Sequence, residues 1–477
     1  MQPLRTIAIL GFLLLPAPLF AANAELTSDQ ADQRELAVTI YNNDLALVKD
    51  TRRVKLERGD NRLAWRDVSA QIRPETALLR NPAHPEGFYL VEQNFDFDLL
   101  TPQKLLDKSV GQEIRVIKTN PATGAETTET ARVLATNNGT VLQFPDRIET
   151  GPAGRLAFQS VPANLRDRPT LAIQFHNPAN ETQNLELSYL TGGLAWKADY
   201  TAELSERDDR LDLNGWVTLT NTSGAAYRNA KLQLVAGDVN RVQERLAPVA
   251  ARAYAMAAPA PVQKMAEESL FEYHLYTLDR PTTIADQQSK QVALLTASAI
   301  PLTKEFVLRG TDYYYRSGYG DLGQKLKVGV FVEFANKGAR LGIPLPKGIV
   351  RVYKKDSAGN AQFVGEDRID HTPKGEKVRL KLGDAFDVTA DKKQTDFQKL
   401  AGSGRFNYVL ESAYRIELKN AKDEEVSVTV QEPLPGDWEI LNESQPHQKE
   451  TANTASWKVS VPANGKAVLT YRARVKY

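Results

Sequence analysis

Cysteine is absent from all 477 residues of the chain. Disulfides, thiolate metal sites and a thiol nucleophile are therefore excluded. Small exported domains often need disulfide staples because their cores are thin. A longer chain does not: a domain of ~150 residues already buries roughly 70% of its unfolded surface. An excess of charge is also missing, with 60 Lys+Arg against 59 Asp+Glu. Nucleic-acid binders carry a basic excess or stripe, so no nucleic-acid partner is expected. The local clusters Lys354-Lys355, Lys374 with Lys377, and Lys392-Lys393 have acidic neighbours and read as solvated mixed faces.

Motifs for chemistry are lacking too. The five histidines are His84, His176, His274, His371 and His447, and no two have the spacing of a metal pair. No Gly-x-Ser-x-Gly elbow, Ser-x-x-Lys tetrad or Gly-x-x-x-x-Gly-Lys phosphate loop occurs. No cofactor, metal or catalytic residue set is expected. Acidic pairs are present at Asp96 with Asp98, Asp208-Asp209 and Asp423-Glu424-Glu425. Glycoside hydrolysis needs two carboxylates across a cleft. The pairs at 208–209 and 423–424 sit at turns, where Asp stabilises the turn itself.

At the N-terminus, Arg5 precedes an apolar stretch from Ile7 to Leu15, and Ala22-Asn23-Ala24 is a small-x-small sequence. This pattern predicts a cleaved signal peptide over residues 1–24, with Glu25 first in the mature chain, and a periplasmic or secreted location. A membrane anchor is the rival, but a spanning helix needs ~20 apolar residues and Pro16 and Pro18 interrupt this run. No transmembrane segment is expected in the mature chain.

Beyond residue 25 the dominant pattern is alternation of apolar and polar residues, broken by Gly, Asn and Pro. It predicts a mostly β protein of antiparallel, immunoglobulin-like sandwiches with very little helix. The one good helix start is Thr101-Pro102, with Thr as cap and Pro in the first turn. Short strands and tight turns between Gly111 and Ile148 suggest a small N-terminal barrel. Gly192-Gly193, between two alternating runs, reads as a hairpin. The expected domains are 25–165, a central sandwich at 166–309, and a C-terminal sandwich at 310–477. Residues 243–268, rich in Ala and Pro, read as a mobile surface loop.

The segment Asp312-Tyr-Tyr-Tyr-Arg-Ser-Gly-Tyr319 is unusual. Tyr and Arg anchor interfaces more often than other residues, and aromatic faces stack on sugars. As a strand, it places Tyr313 and Tyr315 on one face and Tyr314 on the other. Tyr313, Tyr315, Arg316 and Tyr319 are the candidate binding residues. The competing reading is a strand with one buried tyrosine face and a wet rim.

YLTGGLAWKADY, WVTLTNTSGAAYRNAKLQLVAGDVN, YTLDRPTTIADQQSKQVALL, LGIPLPKGIVRVYKKD and FVGEDRIDHTPKGEKVRLKLGDAFDV together resemble a widespread family of exported bacterial proteins. That family is catalogued as a domain of unknown function and is similar to the C-terminal region of mucoidy-inhibitor-like proteins. The resemblance runs from about Leu185 to the end, and GDNRLAWRDVSAQIRPETALL resembles the lead region of the same proteins. It implies a β-rich envelope protein and no particular reaction. The coiled-coil segment of some mucoidy-inhibitor-like proteins has no counterpart here.

These observations predict a non-enzymatic interaction module of the bacterial cell envelope that binds a protein or glycan partner. Two alternatives stand beside it. One is an envelope polysaccharide hydrolase. The other is a self-assembling structural protein, whose mark is an unprotected edge strand.

Overall fold

Alternation becomes strand through most of the described residues. A computed structural model describes residues 25–151, 154–162, 165–237, 239–240, 265–338, 341–402 and 404–477. The predicted signal peptide lies outside these residues, as does most of the predicted 243–268 loop. The loop reading overran at its far end, because Met265–Leu270 is a strand paired with Tyr273–Leu278. No helix among the described residues is long and apolar enough to cross a membrane.

The chain forms two units. The first comprises residues up to Leu36, Leu47–Thr191 and Ser223–Ala225. Its four-stranded sheet runs in the order Leu26–Ser28, Gly59–Arg66, Thr170–Asn177, Tyr89–Asp96. Leu63, Trp65, Leu171, Ile173 and Phe175 are buried in it. The Tyr89–Asp96 edge is blunted: Gln174 faces Glu92 but Phe175 faces Leu90, so Val91 is a bulge. A bulge and the carboxylates of Glu92 and Asp96 discourage another chain from pairing there.

Between Leu99 and Ala157 the same unit carries the small element read as a barrel. It is an open sheet in the order Ile148–Thr150, Val141–Gln143, Glu126–Ala135, Glu113–Thr119, Arg155–Ala157. Three of its strands have only three residues, too few to close a barrel. The helix Pro102–Asp107 forms as the capping residues require, with Thr101 Oγ1 accepting from Lys104 N–H. It sets Leu106 on a core with Ile114, Val116, Val133, Leu142 and Phe144.

The second unit comprises Ala37–Ala46, Gly192–Thr222 and Ala226–Tyr477. Its largest sheet is built on the 22-residue strand Gln288–Arg309. The first part of that strand pairs with Arg210–Asn221 and the last part with Asp321–Ala335. From Asp321–Ala335 the sheet continues through Lys377–Ala401, Tyr408–Asn420 and Gly465–Lys476 to Asp437–Glu443. A second branch leaves the same long strand through Val426–Pro433 to Thr454–Val461 and Gln448–Thr451.

The two branches share one core. Val428, Val430, Trp457 and Val459 meet Val388, Ala390, Tyr414, Ile416 and Tyr471. Each fully buried large apolar side chain contributes about 1.5–3 kcal/mol. The sheets are mixed rather than purely antiparallel. Ala198–Leu204 runs parallel to Gly348–Lys354, and Phe306–Arg309 parallel to Val428–Gln431. Gly192-Gly193 does not close a hairpin, since the strands on its two sides enter different sheets.

Candidate functional site

The tyrosine segment is not a strand. Asp312–Tyr315 is a single 3-10 turn between the strands Gln288–Arg309 and Asp321–Ala335. Three residues per turn, instead of two-fold alternation, redistribute the side chains. Tyr314 and Tyr315 point into the core, whereas Tyr313 and Tyr319 are 47% and 43% exposed. Tyr315 is fully buried and so corrects the strand reading that set it beside Tyr313. Tyr313 and Tyr319 meet edge to face at 5.6 Å, and Arg316 beside them is paired with Asp312. Sequence and turn together make an exposed aromatic cap with one guanidinium.

The cap is anchored from below. Gln394 Nε2 donates to the carbonyls of Tyr314 and Ser317 at 3.4 and 3.0 Å, and Gln394 Oε1 accepts from Tyr319 N–H at 2.5 Å. Tyr414 Oη donates to the Tyr314 carbonyl at 2.7 Å. Deeper still, Lys392 Nζ lies 2.6 Å from Glu432 Oε1, with the two side chains 1% and 0% exposed. Tyr315 Oη donates to Glu432 Oε2 at 2.8 Å and lies 2.8 Å from Tyr471 Oη. The Lys392 ammonium stands over the Tyr314 and Tyr414 rings at 4.4 and 5.0 Å. Tyr414 and Tyr471 are directly opposed across neighbouring strands and stack, and Trp457 stacks on Tyr471 at 4.6 Å.

Burial governs the electrostatics of this cluster. It pushes the Tyr315 and Tyr471 hydroxyls well above the ordinary tyrosine value, and the Glu432 charge pushes the same way. Burial also lowers the proton affinity of Lys392, against the pull of Glu432. The expectation of a solvated Lys392-Lys393 face fails for Lys392 and holds for exposed Lys393. The signal was present: Lys392 is in phase with inward-facing Val388 and Ala390. Glu432 carried the same signal, being in phase with buried Val428 and Val430.

Two pockets open in this unit, the first against the outer side of the same tyrosine cluster. One, of about 330 Å³, is lined by Thr395, Ala413, Tyr414, Arg415, Asn442, Glu443, Ser444, Thr470, Tyr471 and Arg472. Its Glu443 is fully engaged, accepting from Trp457 Nε1 at 2.8 Å and facing His447 Nδ1 at 2.9 Å. The other, of about 280 Å³, has an apolar floor including Val330, Val332 and Leu382, beside Asp208, Lys304 and Lys354. Asp208 stands at a positive-φ turn position and binds both lysines, at 2.7 and 2.6 Å. Burial raises its carboxyl, but the hydrogen bonds from Lys304 and Lys354 prevail and leave it below the ordinary value. Asp98 is likewise held low by hydrogen bonds from Lys108 and Lys104. A general acid for glycoside cleavage needs the opposite displacement. Among the described residues no group of three or more His, Asp or Glu is gathered as a metal would need.

Residues 185–477 match the family described as a domain of unknown function, DUF4139. The chain belongs to the DUF4139 family. No curated protein matches it. The DUF4139 region contains the whole tyrosine cap, Gln394 and the Lys392–Glu432 pair.

Proposed function

We propose that this DUF4139 chain is a non-enzymatic interaction module of the bacterial cell envelope, and that it holds a protein or glycan partner on its tyrosine cap. On this reading the C-terminal core is an immunoglobulin-like sandwich that displays a loop, as such sandwiches do. The N-terminal sequence pattern supports export to the periplasm or the medium.

One observation carries the proposal. Tyr313 and Tyr319 stay exposed although Gln394 and Tyr414 tie the backbone between them to the core. Exposed aromatic surface is useful for recognition when it is already ordered, because the partner then bears little ordering cost. Tyrosine adds large contact area with few rotamers to freeze, and Arg316 adds planar hydrogen bonding. Phe397 and the stacked pair Tyr408 and Tyr477 extend the aromatic character of this part of the domain.

The test is capture from envelope extract, split into protein and glycan fractions, by the chain from Glu25 onward. The expected result is one retained partner that Tyr313→Ala/Tyr319→Ala no longer retains, at an unchanged melting temperature. Equal capture by both forms, or none by either, contradicts the proposal.

A further inference from the structure

The Lys392–Glu432 pair holds an amine nitrogen 2.6 Å from a carboxylate oxygen, with both side chains buried. Lysine has three donors, yet among the described residues Glu432 is the one hydrogen-bond acceptor of Lys392. The rest of the ammonium faces the rings of Tyr314 and Tyr414. Nitrogen and carboxylate come from strands in different branches of the sheet and are pressed together in a sealed core. Gly310 leaves the space the carboxylate occupies, since a Cβ there would stand 2.1 Å from Glu432 Oε2. The remaining carboxylate oxygen receives the Tyr315 hydroxyl, which burial keeps protonated.

We propose that Lys392 and Glu432 condense to an intramolecular amide that cross-links the two branches of the C-terminal core. A proton first passes from Nζ to Oε1 across their hydrogen bond, which leaves a neutral amine and a neutral acid. The Nζ lone pair then attacks Cδ, and the carbonyl pair moves onto Oε2, where the Tyr315 O–H stabilises it. As the carbonyl re-forms, the Cδ–Oε1 bond breaks. Oε1 leaves as water, carrying the acid proton and one proton from nitrogen. One amide and one water result, and no oxidant or co-reactant is needed.

Two forces favour this outcome. Lys392 Nζ and Glu432 Oε1 are held 2.6 Å apart, and confining two reactants side by side raises their effective molarity, which in well-oriented intramolecular reactions reaches ~10⁵–10⁸ M. A sealed core also gains by exchanging two buried charges for one neutral amide. The amide oxygen keeps its hydrogen bond from Tyr315, so the network stays satisfied. A chain without cysteine thereby obtains a covalent staple by other means.

Intact-mass measurement of the natively purified full chain decides the matter, without reference to any partner. The expected mass is one water below that of the sequence with the same N-terminus, unchanged by denaturation. Tryptic digestion should leave Lys392 uncleaved and joined to the peptide that contains Glu432. Lys392→Arg should restore the full mass. Glu432→Gln should form the same link with loss of ammonia instead of water. A wild-type chain at full mass, cleaved after Lys392, overturns the proposal. So does a water deficit that persists in Lys392→Arg.

Discussion

Arg52 in the N-terminal unit and Lys392 in the C-terminal unit are both sealed from water, and both stand against aromatic rings. They differ in what surrounds their protons. Arg52 donates through Nε to Asp50 at 2.9 Å, through Nη1 to the Ser28 carbonyl at 2.8 Å and through Nη2 to the Arg66 carbonyl at 2.8 Å. Asp50 in turn accepts from Gln33 Nε2 and Trp65 Nε1. This planar, permanently charged group ties separate strands together and has no nucleophilic character. Lys392 meets one carboxylate and is otherwise enclosed by rings. A saturated buried cation belongs to architecture. An undersaturated one, on a side chain whose proton is more easily lost than that of arginine, is open to chemistry, and here it also lies against Tyr314 beneath the exposed tyrosine cap.

The largest effect should come from removing the saturated cation. Arg52→Ala leaves Asp50 charged and unpaired in the core and should cost about 3–5 kcal/mol in denaturant unfolding. Arg52→Lys should recover little of it, since one ammonium cannot serve Asp50 and two carbonyls in the guanidinium geometry. Full recovery by lysine would erase the contrast between the two cations.

Next is Gly310→Ala, which drives a methyl into the Glu432 carboxylate. It should cost about 1–3 kcal/mol by thermal or chemical unfolding. Gln394→Ala comes close behind, at about 1–3 kcal/mol, because the buried Tyr314 carbonyl loses a donor and Tyr319 N–H its acceptor. The smallest stability change belongs to Tyr313→Ala/Tyr319→Ala, within ~0.5 kcal/mol, as expected for exposed side chains. That pair of substitutions should nonetheless abolish partner capture, whereas Arg52→Lys should leave capture by the folded fraction unchanged.

Much of this was legible in the sequence, and what was not has a physical cause. Period two revealed strands such as Val426–Pro433, and Thr101-Pro102 revealed the helix start. Period two is common to parallel and antiparallel strands, so it could not show that Val428 runs parallel beside Phe306. Gly192-Gly193 marked a change of direction, but a turn signal does not name the strand's partner. The composition of 312–319 flagged the right segment. It placed Tyr315 wrongly because Asp, Ser and Gly around the tyrosines suit a 3-10 turn as well as a strand end. The Lys392–Glu432 pair joins residues 40 positions apart, and no local pattern announces such a meeting.

The most direct test of a rigid cap on a buried polar network is native-state hydrogen exchange at the Tyr319 amide, which donates to Gln394 Oε1. In the wild type this amide should exchange only when the surrounding core opens, at a rate close to that of the neighbouring strand amides of Tyr414 and Ile416. In Gln394→Ala it should exchange at least ~10-fold faster while the Ile416 amide remains protected. Exchange of the wild-type Tyr319 amide at the rate of an unstructured peptide would contradict the account, because the exposed tyrosines would then be ordered by nothing beneath them.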